Sequence, residues 1–422
     1  MSQSFAVVTF GCRVNQADSL VIENELTSRG ARLVPAEQAD LVVVNTCSVT
    51  ASADQGARQT IRRLVRLNPD VRVVVTGCYS TRRPEEVAAL PNVIGVVSNT
   101  DKEKLTPLIG ANGWLTTAQR FGDGDEACGA TTVPGAGGRT SLTLRVQTGC
   151  EERCSYCIIP QTRGRGRSQP LKDVIARVEA AIAAGYKEIV LTGVHLGSYG
   201  RDLADGTCLA GLIAALARRS EDVLFRISSL EPMDCTEEIV DLVRQSPRLA
   251  PHFHLPLQHA ANRMLAAMRR PYLYEDYHAL VSRIRSAMPH ASIGSDVIVG
   301  FPGECDEDFA IMERRLRELP LTHLHVFPYS DREGTEASAL ANKVEGVAIR
   351  ARGRAVRDIG AEMARRFRQS QAGTTTRALT LDEGWSAVTP NYLKVRLDRQ
   401  IARNEWIDVK LSEDALSGVV MS

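Results

Sequence analysis

The first hundred residues alternate short apolar runs with longer stretches of mixed polarity. The apolar runs are rich in β-branched residues and have the length of buried strands, whereas the mixed stretches have the spacing of amphipathic helices. The predicted strands are Phe5 to Phe10, Leu41 to Val44, Val71 to Thr76 and Val93 to Val97, and the predicted helices lie near Asp18 to Ser28, Ala51 to Leu67 and Pro84 to Leu90. This alternation predicts an α/β domain with a parallel sheet.

A glycine-rich segment interrupts the pattern between residues 121 and 139. The segment reads FGDGDEACGATTVPGAGGR and holds six glycines without any apolar periodicity. Such a composition is typical of a flexible connection between folded units. We therefore predict an N-terminal domain over residues 1–120 and a linker over residues 121–139.

The alternation of strands and helices resumes after the linker. Six further strands are predicted near residues 142–147, 188–192, 223–228, 252–257, 292–298 and 321–327. A helix-length segment follows each of them, which predicts a barrel or a partial (β/α)6 barrel over residues 140–369. In such folds the chemistry lies on the loops that leave the carboxyl ends of the strands, so residues in those loops are the first candidates.

The last part of the chain changes character twice. Residues 341–370 carry eight Lys or Arg against three acidic residues and predict a long basic helix. Short alternating runs then follow at Arg377 to Leu381, Tyr392 to Leu397 and Trp406 to Leu411. Separated by turn residues, these runs predict a small antiparallel β barrel over residues 370–422.

Charge and composition exclude two classes of protein. Lys plus Arg number 51 and Asp plus Glu number 50, for a net charge of +1, and 44% of the residues are hydrophobic. These values exclude a mostly disordered chain and a uniformly basic nucleic-acid coat protein. A polyanionic partner must therefore be bound by local basic patches.

No targeting or membrane segment is evident in the sequence. The start, MSQSFAVVTFGCRVNQ, lacks a basic leader followed by an apolar core, and no run of about eighteen apolar residues occurs anywhere. We expect a cytoplasmic protein with no membrane partner.

Three of the ten cysteines, Cys150, Cys154 and Cys157, form a tight cluster with C-x3-C-x2-C spacing after the first predicted barrel strand. Three thiolates this close can hold three irons of a 4Fe-4S cube and leave the fourth iron without a protein ligand. A zinc site is the alternative, but it needs a fourth ligand, and no Cys or His follows within the next thirty residues.

Three other cysteines follow strands of the predicted N-terminal sheet. Cys12, Cys47 and Cys78 come directly or shortly after the first three predicted strands. Because open α/β sheets bind ligands at the carboxyl ends of their strands, we expect the three thiols to lie together despite their separation in sequence. The alternative is that each is a small buried hydrophobic residue.

The motifs around these cysteines resemble those of the radical S-adenosylmethionine (SAM) methylthiotransferases. They are GCRVNQADS, NTCSVT, TGCY and CEERCSYC, and later segments agree, among them LTGVHLGSYG, RISSLEP, HFHLPLQHAANRMLAAMRRPY, DVIVGFPGE and LHVFPYSDREGT. The resemblance implies that SAM binds the open iron held by Cys150, Cys154 and Cys157 and is cleaved to a 5′-deoxyadenosyl radical. It also implies a second 4Fe-4S cluster at Cys12, Cys47 and Cys78 that carries the inserted sulfur, and a C-terminal RNA-binding TRAM domain.

Three branches of this family differ in substrate. They modify threonylcarbamoyladenosine in tRNA, isopentenyladenosine in tRNA, or an aspartate of a ribosomal protein. The segments GCRVNQ, NTCSVTASADQGARQTIRR and TGCYS are most similar to the threonylcarbamoyladenosine branch. His259 departs from the serine usual in the tRNA branches and is similar to the ribosomal-protein branch, which keeps that alternative open.

Further candidates lie in the loops and strands of the predicted barrel. Tyr156, Gly193, Ser229 and Glu231 are predicted to contact SAM. His252, His254 and Gln258 share one strand face, as do His323 and His325, and such histidines more often fill a barrel through hydrogen bonds than bind a ligand. Asp296 ends a strand just before GFPGE, where contact with a substrate competes with a turn role.

The resemblance implies the anticodon stem-loop of a tRNA as one partner and an electron donor such as a flavodoxin or ferredoxin as another. Candidates for phosphate contacts are Arg163, Arg165, Arg167, Arg269, Arg270 and the basic helix at 341–370. One feature disagrees with an RNA-binding role for the C-terminal barrel. Residues 371–422 hold six basic and seven acidic residues, so this barrel has no net positive charge.

The expected activity is therefore conversion of threonylcarbamoyladenosine beside the anticodon to its 2-methylthio derivative, with two clusters and two molecules of SAM. The alternatives are methylthiolation of a ribosomal-protein aspartate or of isopentenyladenosine, and a non-catalytic tRNA-binding iron-sulfur protein.

Overall fold

A computed structural model describes residues 3–111, 134, 140–219, 221–381 and 383–421. Apart from Pro134, the predicted linker at 121–139 lies outside these residues. The boundaries proposed above for the three domains therefore stay predictions.

The N-terminal unit is a five-stranded parallel sheet with helices on both faces. Its elements are β1 (Ser4–Thr9), α1 (Arg13–Ser28), β2 (Arg32–Leu33), β3 (Leu41–Thr46), α2 (Ala51–Leu67), β4 (Arg72–Gly77), α3 (Cys78–Arg82), α4 (Pro84–Ala88), β5 (Val93–Val97) and α5 (Leu105–Ala111). The strand order is β2-β1-β3-β4-β5. Val42 and Val44 pack with α2 on one face, and Leu41 and Val43 pack with α1 and α5 on the other. Burial on both faces explains why β3 is apolar throughout.

The central unit contains the six predicted parallel strands. Its elements are β6 (Leu142–Arg145), β7 (Gln147–Thr148), α6 (Ile159–Arg163), β8 (Arg167–Ser168), α7 (Leu171–Ala183), β9 (Glu188–Thr192), α8 (Leu209–Ala217), β10 (Leu224–Ile227), α9 (Glu237–Gln245), β11 (His252–His254), α10 (Asn262–Ala267), α11 (Tyr274–Ala287), β12 (Ser292–Val299), α12 (Asp306–Glu318), β13 (His323–Pro328) and α13 (Gly346–Gln371). The sheets β10-β9-β6 and β11-β12-β13 are joined by isolated parallel bridges, one of which pairs Ser229 with His254. This arrangement is a partial barrel, which confirms the predicted fold class.

The long helix α13 packs against β13 and closes one side of the partial barrel. Gly360 lies at the contact, where a Cβ atom would approach the Cβ of Leu324 to 3.2 Å. A larger residue there would push the helix away from the strand.

The C-terminal unit is a small closed barrel, as predicted. Its strands are β14 (Thr375–Leu381), β15 (Ser386–Val388), β16 (Lys394–Leu397), β17 (Trp406–Leu411) and β18 (Ser417–Val420). They close in the order β14-β15-β16-β18-β17 around a core of small aliphatic residues. One pair, β16 with β18, is parallel, so the barrel is not antiparallel throughout.

Within the described ranges, no helix combines the length and apolar composition that crossing a bilayer requires.

A buried carboxylate joins the N-terminal sheet to the partial barrel. Asp18 of α1 is contacted by Lys102 Nζ at 2.5 Å, by Arg145 of β6 and by Arg163 Nη2 at 3.2 Å. Burial alone would raise the pKa of Asp18, but the charges of Lys102, Arg145 and Arg163 outweigh it and lower the pKa to about 2. The carboxylate is therefore ionised at neutral pH and connects the two units.

Replacing Asp18 with Asn should destabilise the protein by about 3 kcal/mol or more, because three cations would then face each other without a counterion. Since the folded-state pKa lies below the unfolded one, the wild-type stabilisation is present above about pH 4 and is lost as the pH falls toward 2. Urea unfolding followed by circular dichroism at pH 7, 5 and 3 measures both effects. The variant should show a smaller decrease in stability between pH 5 and 3 than the wild type.

The exposed Asp70→Asn variant is the matched control, because it removes one carboxylate away from this cluster. Equal urea midpoints for the two variants at pH 7 would contradict the role given to Asp18.

Candidate active site

The first three cysteines lie at one edge of the N-terminal sheet. Cys12 precedes α1, Cys47 follows β3, and Cys78 begins α3 directly after β4. Because β1, β3 and β4 are adjacent parallel strands, their carboxyl ends bring the three thiols together. The strand-end argument from the sequence thus agrees with the fold.

Two glycines make this close approach possible. Gly11 has a φ of +88°, and a Cβ atom on it would lie 2.5 Å from the Sγ of Cys47. Gly77 has a φ of +104°, and a Cβ atom there would collide with the backbone oxygen of Thr46. Only glycine satisfies both the left-handed backbone and the lack of space at these positions.

The surroundings of this triad suit a metal cluster. Burial, together with the neighbouring Cys78 and Cys12, raises the pKa of Cys47 to about 12, although a backbone hydrogen bond from Val49 opposes the shift. The Nδ2 atom of Asn99 lies 3.5 Å from the Sγ of Cys78. A thiol with a pKa raised by burial, such as Cys47, stays protonated at neutral pH unless a bound metal deprotonates it. The donor set therefore fits an iron-sulfur cluster.

The second triad lies on the loop between β7 and α6. This loop is attached to the barrel by Ser155, whose backbone N donates to Met268 O at 3.2 Å and whose Oγ donates to Ala267 O at 2.8 Å. Burial, together with the neighbouring Cys154 and Cys150, raises the pKa of Cys157 to about 12. The Nη1 atom of Arg270 donates to Cys154 Sγ at 3.1 Å. This donor set also fits a cluster, with a cation beside it.

One group of possible metal ligands lies close together among the described residues. The ligand atoms of His254, Asp296 and His325 are all within 4.8 Å of one another.

All three folded units line one large cavity of about 790 Å³. The N-terminal unit contributes Cys12 and Arg13, the partial barrel contributes Gly193 and Ser229, and the C-terminal barrel contributes Tyr392. A smaller cavity of about 210 Å³ is lined by Tyr156, Cys157 and Gln258. Val49, Ile159, Asp296 and Phe327 line both cavities. The two spaces are therefore neighbours at the carboxyl ends of the barrel strands.

A hydrogen-bonded chain lines the large cavity, and one of its members, Asp296, also lines the smaller cavity. His254 Nδ1 lies 2.7 Å from Ser229 Oγ, and Asp296 Oδ1 lies 3.0 Å from His254 Nε2 and 3.2 Å from His325 Nδ1. Burial alone would raise the pKa of Asp296, but the two histidines lower it to about 2. Two histidines of the sequence pattern, His254 and His325, thus belong to a hydrogen-bonded network around one charged carboxylate.

The predicted SAM contacts differ in their surroundings. Tyr156 is half-buried beside Cys157, whereas Gly193 and Ser229 face the large cavity. Glu231 forms an ion pair with Arg270, the same arginine that contacts Cys154. Sequence reasoning missed this link because Arg270 is 116 residues away from Cys154 along the chain.

Two of the arginines predicted to contact RNA do not reach the surface. Arg163 is 3% exposed and bonds Asn15 and Asp18, and Arg270 is 7% exposed beside Cys154. Their assignment to phosphate binding was wrong, because both charges are used inside the protein. Arg165, Arg167 and Arg269 are exposed, as a phosphate contact requires.

Comparison with known proteins agrees with this geometry. Residues 4–98 match a family described as uncharacterized protein family UPF0004, and residues 144–316 match the radical SAM superfamily. The threonylcarbamoyladenosine tRNA methylthiotransferase MtaB of Aquifex aeolicus is 36% identical over 93% of this chain and 96% of its own. The protein of the same name from Bacillus subtilis is 38% identical over 80% and 76% of the two chains. The chain belongs to the MtaB-type radical SAM methylthiotransferases.

A solved structure supports the fold of this methylthiotransferase. The radical SAM methyltransferase TsrM from Kitasatospora setae, solved with cobalamin and a [4Fe-4S] cluster, has a TM-score of 0.58 at 17% identity. The match covers 80% of this chain and 77% of TsrM. As a radical SAM enzyme, the methylthiotransferase uses an iron-sulfur cluster and SAM.

Replacing Gly11 with Ala should displace Cys47 and lower the iron content of the anaerobically reconstituted methylthiotransferase, because the new Cβ occupies the space of the thiol. Gly30→Ala is the matched control. Gly30 also has a positive φ, +85°, but nothing lies within 4 Å of its Cβ position. The Gly30→Ala variant therefore introduces backbone strain of about 1–2 kcal/mol without a steric clash. Iron and sulfide analysis should show a decrease only for Gly11→Ala, and equal iron contents would contradict the steric argument.

Proposed function

We propose that this methylthiotransferase converts N6-threonylcarbamoyladenosine, next to the anticodon of tRNA, to its 2-methylthio derivative with two 4Fe-4S clusters and two molecules of SAM. The observation that carries the proposal is the position of Cys12 on the large cavity and of Cys157 on the smaller cavity beside it. One cysteine of each triad thus lines one of these two neighbouring cavities. The names of the relatives from Aquifex aeolicus and Bacillus subtilis support the choice of nucleoside.

The reaction needs radical chemistry because carbon 2 of adenine has neither a leaving group nor an acidic proton. When bound, SAM with a cluster held by Cys150, Cys154 and Cys157 would supply a carbon radical, and a cluster held by Cys12, Cys47 and Cys78 would supply the sulfur. One cysteine of each triad lines one of the two neighbouring cavities, which would enclose these groups. Enclosure matters since a carbon radical reacts with whatever lies nearest.

The side chains around the two cavities have distinct roles in this proposal. Tyr156, Gly193, Ser229 and Glu231 contact SAM. Asp296, charged at neutral pH, borders both cavities and can orient a cation or a hydrogen-bond donor bound in either. His254 and Ser229 hold this carboxylate in place through the hydrogen-bonded chain.

The ribosomal-protein alternative depended on His259. This residue is completely buried, and its Nδ1 accepts from Ala261 N at 3.0 Å while its Nε2 lies 3.5 Å from Glu304. A histidine in this position is explained by packing at the start of α10 and has no contact with either cavity. The N-terminal motifs therefore carry the substrate assignment.

The proposed RNA partner is the anticodon stem-loop. Helix α13 presents Arg350, Arg354, Arg357 and Arg366 to solvent, and Arg368 lies on the large cavity. Arg352 of the same helix is buried against Glu304 and Asp306, so its predicted phosphate contact was wrong. The exposed arginines are distributed along α13, and the last turns of this helix line the large cavity. The reducing partner is proposed to be a flavodoxin or ferredoxin.

Removing each triad should have a different effect. The Cys150, Cys154 and Cys157 to Ala variant should lose about half of roughly eight irons and release no 5′-deoxyadenosine with dithionite and SAM. The Cys12, Cys47 and Cys78 variant should also keep about half of the iron and still release 5′-deoxyadenosine. Each variant is then expressed in a strain that lacks the gene, and the tRNA nucleosides are analysed by mass spectrometry. The 2-methylthio derivative should reappear with the wild-type protein and with neither triple variant.

Cys208→Ala is the control, since Cys208 is an exposed cysteine outside both triads. Full product from the Cys12, Cys47 and Cys78 variant would sink the two-cluster proposal. Restoration of methylthiolated isopentenyladenosine or of a modified ribosomal protein would replace the proposed substrate.

Replacing Arg350, Arg354 and Arg357 together with Gln should weaken tRNA binding, because fewer phosphates are then neutralised. The slope of log affinity against log salt should fall by about one for each arginine that binds a phosphate in the wild type. The control removes three exposed arginines from helices on the outer side of the barrel, Arg244, Arg283 and Arg317. Filter binding between 50 and 200 mM salt, roughly the range over which phosphate binding weakens, measures both. The same slope in both triple variants would rule out α13 as the RNA-binding element.

A further inference from the structure

Arg13 lines the large cavity and forms no ion pair with a carboxylate among the described residues. Arg13 is the first residue of α1, directly after Cys12, and its side chain is half-buried on the cavity wall. Within the described part of the chain, no carboxylate oxygen approaches it within 4.0 Å, whereas Arg163 on the same wall is paired with Asp18. A half-buried cation without a counterion is suited to bind an anionic group of a ligand.

The partner of Arg13 comes from the C-terminal barrel. Arg13 Nη2 donates to Tyr392 Oη at 2.8 Å, and the guanidinium carbon lies 5.6 Å from the ring centroid. The phenol accepts this bond, so its own O–H remains available to donate. A guanidinium and a phenol O–H side by side present several donors toward the cavity. That is the pattern that binds a carboxylate.

Tyr392 is held firmly in this position. Its φ is +70°, and the ring lies 4.6 Å from the guanidinium carbon of Arg226 and 4.8 Å from the ring of His252. Arg226 is completely buried, forms an ion pair with Glu188 and donates to Pro390 O at 2.8 Å. The ring is thus packed against the partial barrel, and its hydroxyl points to Arg13.

The turn that carries the tyrosine is also fixed to its neighbours. Asn391 Nδ2 donates to His290 O at 2.9 Å and to Gln371 Oε1 at 3.0 Å. Tyr392 N donates to Thr389 O at 2.9 Å. A preorganised subsite of this kind binds its ligand without an added cost for ordering the protein.

The proposed nucleoside provides the matching anion. The threonylcarbamoyl group ends in a carboxylate, and it is attached to N6, on the same Watson–Crick edge of adenine as carbon 2. When carbon 2 faces the sulfur site at Cys12, the N6 substituent must lie against the adjoining part of the wall. That part is formed by Arg13, the next residue in the chain, and Tyr392.

We propose that Arg13 and Tyr392 form a carboxylate-binding subsite that selects the N6-threonylcarbamoyl group over uncharged N6 substituents. This inference rests on the proposed function and names the residues that determine its specificity. It gives the C-terminal barrel a place in substrate selection that does not depend on net charge.

The test compares two anticodon stem-loop RNAs of identical sequence, one with threonylcarbamoyladenosine and one with unmodified adenosine at the target position. Fluorescence anisotropy with the reconstituted enzyme, without reductant, gives the ratio of their Kd values. The wild type should prefer the modified RNA. Arg13→Gln should reduce that preference about tenfold or more, since it removes a charge-assisted hydrogen bond.

Two conservative variants keep the test valid if Arg13→Gln disturbs the neighbouring Cys12. Arg13→Lys retains the charge without the guanidinium fork and should keep part of the preference. Tyr392→Phe removes only the hydroxyl, far from either cysteine loop in sequence, and should reduce the preference about twofold to tenfold. Iron analysis of each variant shows whether the clusters are intact.

Arg368→Gln is the matched control, because it removes another arginine from the same cavity. It should weaken binding of both RNAs by the same factor and leave the preference unchanged. A wild type without preference, or Arg13 and Tyr392 variants that keep the full preference, would overturn the subsite.

Failure of the proposed function is separately visible. If tRNA from the complemented strain lacks the 2-methylthio derivative although the wild type prefers the modified RNA, the reaction is wrong and the subsite stands. If the derivative forms and the Arg13 variants still discriminate fully, the subsite alone is wrong.

Discussion

The buried carboxylate of Asp18 is the interaction on which the relation between the two cysteine sites depends. It lies on the helix that begins directly after Cys12, and it binds Arg145 and Arg163 of the partial barrel. Arg163 ends the short helix that follows the second cysteine loop and is itself buried near Cys12 and Cys78. This anion therefore helps to fix the N-terminal sheet to the barrel near both triads, together with the buried ion pair between Asp54 and Arg332. Each of these charges is stable in the interior only because the others are there.

The sequence predicted best what depends on local periodicity. All six strands of the partial barrel and four of the five strands of the N-terminal sheet follow from apolar runs, and the strand-end positions of Cys12, Cys47 and Cys78 follow from them. The two-residue edge strand at Arg32–Leu33 is too short to leave such a pattern. The roles of Arg163 and Arg270 were not predictable, because a charged residue looks the same in sequence whether it faces solvent or a buried carboxylate. Gly11 and Gly77 were visible beside their cysteines, but the need for glycine became evident only from the left-handed backbone and the lack of space.

The C-terminal barrel has the fold expected of an RNA-binding domain but lacks the positive charge expected of one. Its sequence has no excess of positive charge, which argues against RNA binding by electrostatics alone. In the structure the exposed arginines lie on α13, just before the barrel, while the barrel contributes Tyr392 and Asn391 to the large cavity. Helix α13 thus provides the positive charge that would attract RNA, and the neighbouring barrel provides part of the cavity wall. The turn at 389–393 faces the partial barrel, where Arg226 donates to Pro390 O at 2.8 Å.

The position of that turn also bears on how the protein is made. A ribosome releases the N-terminal sheet and the partial barrel first, and domains generally fold as they emerge. Residues 389–393 are among the last to appear, so one wall of the large cavity is missing until synthesis is nearly complete. During that interval the large cavity lacks the side formed by Asn391, Tyr392 and Leu393, so Cys12 is more accessible to solutes than in the complete protein.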